Sequence, residues 1–226
     1  MEQRQVTPRL HTAPVPDIGI VTPHDLALDR ELWRWSADDV VLYVTRLPYV
    51  PDPVGVGMTE AIGDHTLVAS ACQDVSVLGA TVTAYLCASG SFVGGVRGEA
   101  ALRDAMQAGG ATRAITTSGA LVVALTALGV ARVGVATPYD VALTNRLVNF
   151  LGEAGYETVA AAYLGLTSDI AKVTPDCVRD LALAVAHDDA EPVIEIVLSS
   201  GERLQVRAGA SADLVRAAVS ALRSTC

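Results

Sequence analysis

Short apolar runs of strand length alternate with longer segments that carry apolar residues at helical spacing, and this alternation constrains the fold most strongly. The runs lie at residues 18–21, 40–44, 82–86, 132–136, 158–163 and 194–198. Strands that alternate with helices are joined by helical crossovers, which place neighbouring strands parallel. The pattern therefore predicts the α/β class, with parallel sheets covered by helices.

The six apolar runs fall into two groups of three that share one layout. In each group the third run ends in a small polar turn, Cys87-Ala88-Ser89-Gly90 in the first and Ser199-Ser200-Gly201 in the second. Two such groups facing each other would bring both turns to one cleft. We therefore predict two pseudo-symmetric halves, each a parallel sheet flanked by helices, with the active-site cleft between them. The halves are expected at residues 17–112 and 113–226, after a flexible tail at residues 1–16.

Composition excludes several classes of function. Hydrophobic residues make up 51% of the 226 residues and charged residues 18%, which is typical of a globular protein. A net charge of −9 argues against a nucleic-acid partner. The uncharged stretches are interrupted by glycine, serine and threonine, so no membrane segment is predicted, and residues 1–16 lack the apolar core of a signal peptide. The sequence thus predicts a cytoplasmic protein.

Cys87 is the residue with the clearest chemical potential. It ends a buried run and precedes a small polar turn and a helical pattern, so it is expected at the carboxyl end of a strand. Unpaired amide groups of such a turn, together with a helix N-terminus, favour the thiolate. A buried structural cysteine fits the same position, and the residues alone leave both interpretations open. The four cysteines have no CxxC spacing, which argues against a zinc site or a disulfide framework.

Several motifs carry a resemblance to a known family. They are Gly19-Ile20-Val21-Thr22-Pro23, Cys87-x-Ser89-Gly90-Ser91-Phe92, Thr116-Thr117-Ser118-Gly119-Ala120, and Ala136-Thr137-Pro138-Tyr139 followed by Asn145-Arg146. With them the chain resembles the maleate isomerase and arylmalonate decarboxylase group of the aspartate/glutamate racemase superfamily, and is similar to the EutA-type proteins of ectoine utilisation. The match extends over about residues 17–185.

The resemblance implies an enzyme that acts on a small carboxylic or dicarboxylic acid without metal or organic cofactor. Cys87 would be the first-half nucleophile or base, in an isomerase of the cis-trans or racemase type; an arylmalonate-type decarboxylase with a single cysteine is the alternative. Polar residues at strand ends would bind the substrate carboxylates: Asp25, Ser89, Ser91, Thr117, Ser118, Tyr139 and Asn145. Asp25 and Ser118 fit helix caps equally well.

The second half departs from the family pattern. Ser200 stands where the family has a second cysteine, and serine of ordinary basicity cannot replace a thiolate in acid–base chemistry. Residues 194–206 also alternate like a hairpin turning at Ser200-Gly201, and the C-terminal segment is shortened. Ser200 is therefore either a second catalytic residue or a turn residue. A non-catalytic relative that binds carboxylates stays open, as does the oligomeric state, a homo-oligomer included.

Overall fold

The computed structural model describes residues 16–27 and 29–186, and the backbone of two further strands at 195–197 and 203–205. Residues 1–15, which form nearly all of the predicted tail, lie outside the described residues. Ser200 also lies outside them. None of the helices in this described part is long and apolar enough to cross a membrane.

The first sheet has four parallel strands in the order β2-β1-β3-β4. Its strands are β1 (Asp17–Thr22), β2 (Val41–Arg46), β3 (Val82–Tyr85) and β4 (Ala114–Thr116). The predicted boundary between the halves, at 112/113, precedes β4, which pairs with β3 and so belongs to this first sheet. The parallel α/β arrangement predicted from the alternating pattern is confirmed.

Eight α-helices follow the strands along the described chain. They are α1 (Asp29–Trp35), α2 (Val56–Ile62), α3 (His65–Ser76), α4 (Ala88–Phe92), α5 (Gly95–Ala108), α6 (Thr117–Ala127), α7 (Val141–Glu153) and α8 (Pro175–Val185). A short 3-10 helix lies at Ile170–Lys172.

The second sheet pairs β5 (Arg132–Thr137) with β6 (Glu157–Tyr163) in parallel, and α8 packs on both strands. The two last strands, β7 (Glu195–Val197) and β8 (Arg203–Gln205), pair antiparallel with each other. This pairing agrees with the hairpin alternative and not with a third parallel strand of the second sheet.

One predicted helix is divided in two, and neither Asp25 nor Ser118 takes the cap position that was one of its two alternatives. Apolar residues at helical spacing run from 57 to 78 and predict one helix, but the segment is broken between α2 and α3. Asp64 accepts hydrogen bonds from the amides of Thr66 and Leu67 and starts a new helix. Asp25 does not cap α1, which begins at Asp29. The cap of α6 is Thr116, whose hydroxyl accepts from the Gly119 amide, and not Ser118.

Two hydrophobic clusters flank the short helix α4. The first contains Val21, Tyr85 and Cys87, and the second contains Phe92 and Phe150. Helix α4 begins after Cys87 and ends at Phe92, so its two ends are buried in different clusters. This burial at both ends fixes the turn after β3, the place where parallel sheets carry their chemistry.

Candidate active site

Cys87 lies directly beyond β3, where the sequence placed it. The preceding amide, that of Leu86, donates to the Val21 carbonyl at 2.7 Å, so the chain stays attached to β1 up to this point. Cys87 is the N-cap of α4: its sulfur accepts from the Gly90 amide at 3.4 Å and lies 3.7 Å from the Ser89 hydroxyl oxygen. The thiol thus faces hydrogen-bond donors of the turn.

Burial controls the protonation of this thiol. Burial raises the pKa of Cys87, and hydrogen bonds from the Gly90 amide and the Ser89 and Tyr85 hydroxyls lower it only in part. The Asp25 carboxylate adds to the rise in that pKa. The effect of the turn that the sequence predicted is present, but burial outweighs it. At neutral pH the thiol therefore keeps its proton, and these hydrogen-bond donors would stabilise the thiolate once it forms.

Ser89, Tyr139 and Asp25 are the predicted binding residues that gather around Cys87. Ser89 is buried in the first turn of α4, and Tyr139 reaches the site half-buried from the segment between β5 and α7. Burial and the nearby Cys87 raise the pKa of Tyr139 to about 12, against a hydrogen bond with Ser89. The exposed Asp25 lies close enough for its charge to raise the pKa of both Cys87 and Tyr139. This group combines one acid with two hydroxyls.

Ser91, Ser118 and Thr117 are directed at the protein itself. The hydroxyl of Ser91 and that of Ser118 lie 2.7 Å apart, and they lie 2.8 and 3.1 Å from the Ala88 carbonyl oxygen, within hydrogen-bond distance. The Thr117 hydroxyl donates to the Tyr85 carbonyl at 3.0 Å. Their geometry fits a role in holding the turn, and their contact with substrate stays a prediction.

Asn145 is not among the groups that hydrogen-bond to Cys87 in the described part of the chain. Asn145 lies exposed on α7. Ser200 lies outside the described residues, so its role stays a prediction. Over 16–27 and 29–186, no three His, Cys, Asp or Glu side chains are grouped so that they could hold a metal ion.

Sequence reasoning missed Tyr85 and Glu99. Tyr85 is fully buried, and its hydroxyl donates to the Ile62 carbonyl at 2.9 Å. Glu99 is buried on α5, accepts from the Thr116 hydroxyl at 2.6 Å and pairs with Arg103 at 2.9 Å. Two sequence features could have indicated these residues. Tyr85 is a phenol within a run of small apolar strand residues, and Glu99 is an acid on the apolar face of a helix.

The fold and this site define a class: an α/β protein of the aspartate/glutamate racemase type, with a cysteine at the end of a parallel strand. A family model described as arylmalonate decarboxylase matches residues 58–220. The arylmalonate decarboxylase of Bordetella bronchiseptica is 30% identical over 203 residues, which make up 88% of this chain and 82% of that protein. The chain therefore belongs to the arylmalonate decarboxylase family.

Solved structures support the same fold. A liganded arylmalonate decarboxylase in which one glycine is replaced by cysteine and one cysteine by serine superimposes with a TM-score of 0.69, at 28% identity, covering 77% of this chain and 74% of that one. A mutant maleate cis-trans isomerase of Nocardia farcinica with a covalently bound succinylcysteine intermediate superimposes with a TM-score of 0.65, at 21% identity, covering 78% and 76%. The proteins of known activity that the chain resembles are thus enzymes.

Proposed function

We propose that this protein is a decarboxylase that removes one carboxylate from a small 2-substituted malonic acid and protonates the resulting carbanion from Cys87. The observation that carries the proposal is the geometry of Cys87: its sulfur is buried and accepts a hydrogen bond from the Gly90 amide at 3.4 Å, and burial raises the pKa of the thiol. A neutral thiol can give its proton to a carbanion, and the Gly90 amide can then stabilise the thiolate that remains. Membership of the arylmalonate decarboxylase family supports the same reaction.

The reaction consists of loss of carbon dioxide followed by transfer of one proton. The bond between the α-carbon and one carboxyl carbon breaks, carbon dioxide leaves, and the electron pair stays on the α-carbon and the remaining carboxylate. The Cys87 thiol then gives its proton to the α-carbon. The thiolate that remains is stabilised by the Gly90 amide and the Ser89 hydroxyl. Solvent restores the proton before the next turnover.

The electrostatics of the site favour neutral groups for holding the substrate. Among the described residues, the charged side chain that shifts the pKa of Cys87 is Asp25, which is negative. A bound carboxylate would raise the thiol pKa further, so the proton would stay on sulfur until the carbanion forms. The Ser89 and Tyr139 hydroxyls are the best placed to bind the carboxylate that remains.

A second candidate is cis-trans isomerisation of a small unsaturated dicarboxylic acid. The Gly90 amide and the Ser89 hydroxyl both stabilise a Cys87 thiolate, which would add to the double bond. Rotation about the new single bond and loss of the thiolate would give the other isomer. Here the thiol must ionise before it reacts, whereas in decarboxylation it reacts in its resting, neutral form.

Both reactions are tested with purified protein, phenylmalonate and maleate in deuterium oxide. Decarboxylation predicts carbon dioxide release from phenylmalonate and one deuterium on the α-carbon of the product. Cys87→Ala should lower the rate by ~10²-fold or more, since proton transfer contributes that much. The matched control is Cys177→Ala on α8, a half-buried free cysteine, which should keep the rate.

Three other outcomes would contradict the decarboxylase proposal. Conversion of maleate to fumarate, lost in Cys87→Ala, with no release of carbon dioxide from phenylmalonate or alkyl malonates, would assign the isomerase. Protection of Cys87 from iodoacetamide by these acids without any turnover would indicate a carboxylate-binding relative. Equal decarboxylation by Cys87→Ala would remove Cys87 from the reaction.

A further inference from the structure

Tyr85 is a buried phenol that the proposed reaction does not use. It is the last residue of β3, has no exposed surface, and belongs to the same hydrophobic cluster as Cys87. Its hydroxyl donates to the carbonyl of Ile62, the last residue of α2, at 2.9 Å. An apolar side chain would fill this core without the cost of burying a polar atom, so packing alone does not explain the hydroxyl.

The turn after β3 brings this hydroxyl to the Cys87 sulfur. Both groups lie against Gly90: a Cβ at Gly90 would overlap the Tyr85 hydroxyl oxygen and lie 3.3 Å from the sulfur. The Tyr85 hydroxyl lies near enough to the sulfur to lower the pKa of Cys87. The phenol therefore lies beside the reactive sulfur while its proton is given to a carbonyl of the neighbouring helix.

A phenol in this position can serve the two protonation states of the thiol in different ways. It has one proton to donate and lone pairs to accept. While its proton is given to Ile62, its oxygen can accept the S–H of a neutral thiol. Burial raises the pKa of Tyr85 above its ordinary value, so the phenol stays protonated and can donate to a thiolate.

We propose that Tyr85 is a positioning residue for Cys87, whose hydroxyl accepts the S–H bond of the neutral thiol and turns its own proton from the Ile62 carbonyl to the sulfur when the thiolate forms. No proton is transferred to or from the phenol; only its O–H bond rotates. The inference rests on the proposed function in one respect, that Cys87 is the reactive group. Tyr85 would give the thiolate a second hydrogen-bond donor, inside the core, besides the Gly90 amide on the turn.

The test is the pH profile of Cys87 alkylation by iodoacetamide, followed by mass spectrometry without substrate. In Tyr85→Phe the apparent pKa of Cys87 should rise by about one unit, with alkylation about tenfold slower at a fixed pH below that pKa. The matched control is Tyr156→Phe, since Tyr156 is also buried and its hydroxyl also donates to a helix carbonyl, that of Val122 at 3.1 Å. The control should leave the profile unchanged.

A second substitution keeps the test valid if Tyr85→Phe does not fold. Incorporation of 3,5-difluorotyrosine at position 85 keeps the shape and makes the phenol a stronger donor, so the apparent pKa of Cys87 should fall. An unchanged profile in the folded substituted protein overturns the inference. Because alkylation needs no turnover, this failure is distinct from that of the decarboxylase proposal, which would show as wild-type protein inert towards every malonate.

Discussion

The hydroxyl groups of Ser91 and Ser118 lie 2.7 Å apart and join α4 to the first turn of α6. Ser91 also accepts from the Ser118 amide at 3.1 Å, and both hydroxyls lie within hydrogen-bond distance of the Ala88 carbonyl. Both residues are at most 2% exposed, so these hydroxyls are used within the protein. The pair fixes the helix that Cys87 caps.

The first prediction separates this structural pair from the groups that would hold substrate. Ser118→Ala should lower the free energy of unfolding by about 1–2 kcal/mol, because buried hydrogen bonds lose a partner. Its KM should change less than about twofold, since its hydroxyl faces the protein. Ser89→Ala, next to Cys87 and Tyr139, should raise KM about tenfold with a smaller loss of stability.

Urea unfolding and steady-state kinetics on a malonate substrate check this pair of variants. If the protein shows no turnover, protection of Cys87 from alkylation by a carboxylate replaces KM. A Ser118→Ala protein of wild-type stability and raised KM would return Ser118 to the binding residues named from the family resemblance.

The second prediction concerns the close approach at Gly90. A Cβ there would overlap the Tyr85 hydroxyl and lie 3.2 Å from the ring carbon that bears it. Gly90→Ala should therefore destabilise the protein by about 1–3 kcal/mol and slow the reaction of Cys87. Adding Tyr85→Phe removes the overlapping atom and should recover part of the lost stability.

Gly152→Ala is the matched control for Gly90. Gly152 lies in α7, and a Cβ added there would meet no atom within 4 Å, so the change should be neutral or stabilise by up to about 1 kcal/mol. Thermal unfolding of wild type, Gly90→Ala, Tyr85→Phe, the double variant and Gly152→Ala gives the comparison. Strict additivity of Gly90→Ala and Tyr85→Phe would disprove the contact between these residues.

The position of Cys87 could be predicted because it depends on chain order alone. An apolar run that enters a small polar turn and a helix puts its last residue at the carboxyl edge of a parallel sheet, whatever the other residues are. The break between α2 and α3 could not, because apolar residues continue at helical spacing through Gly63 and Asp64. Only the capping bonds of Asp64 distinguish two helices from one.

The composition of the site was predictable only in part, because side-chain direction depends on distant partners. Ser89 and Ser91 are two positions apart in the short helix α4, yet Ser89 lies by the thiol and Ser91 bonds to Ser118, 27 residues away. The protonation state of Cys87 could not be predicted from the sequence either. The amides of the turn could be anticipated, whereas the burial that outweighs them comes from packing of separate elements.

The third prediction concerns Glu99, which supports the start of α6. Its carboxylate accepts from the hydroxyl of Thr116, the cap of α6, at 2.6 Å and pairs with the half-exposed Arg103. Glu99→Ala should lower the free energy of unfolding by about 1–3 kcal/mol, because the buried Thr116 hydroxyl loses its acceptor. Glu99→Gln keeps an acceptor oxygen and should cost less.

Glu60 provides the control for Glu99. It forms an exposed pair with Arg146 at 3.7 Å, and Glu60→Ala should change stability by no more than about 0.5 kcal/mol. Urea unfolding of the three variants measures the difference. Equal effects of Glu99→Ala and Glu60→Ala would show that the bond to Thr116 contributes nothing to α6.

The last prediction is a loss of stability at alkaline pH through Cys72. Burial in α3 raises the pKa of Cys72 to about 11, whereas the unfolded thiol titrates near its ordinary value of about 8.5. The folded pKa lies above the unfolded one, so the stabilisation is complete below about pH 8.5 and is lost as the pH rises through about 11. At about pH 10 this thiol alone should cost about 1–2 kcal/mol relative to pH 7. In urea unfolding under reducing conditions, Cys72→Ala should show a smaller loss between these pH values than wild type, while Cys177→Ala should match wild type. An identical loss in Cys72→Ala and wild type would mean that Cys72 does not titrate on unfolding.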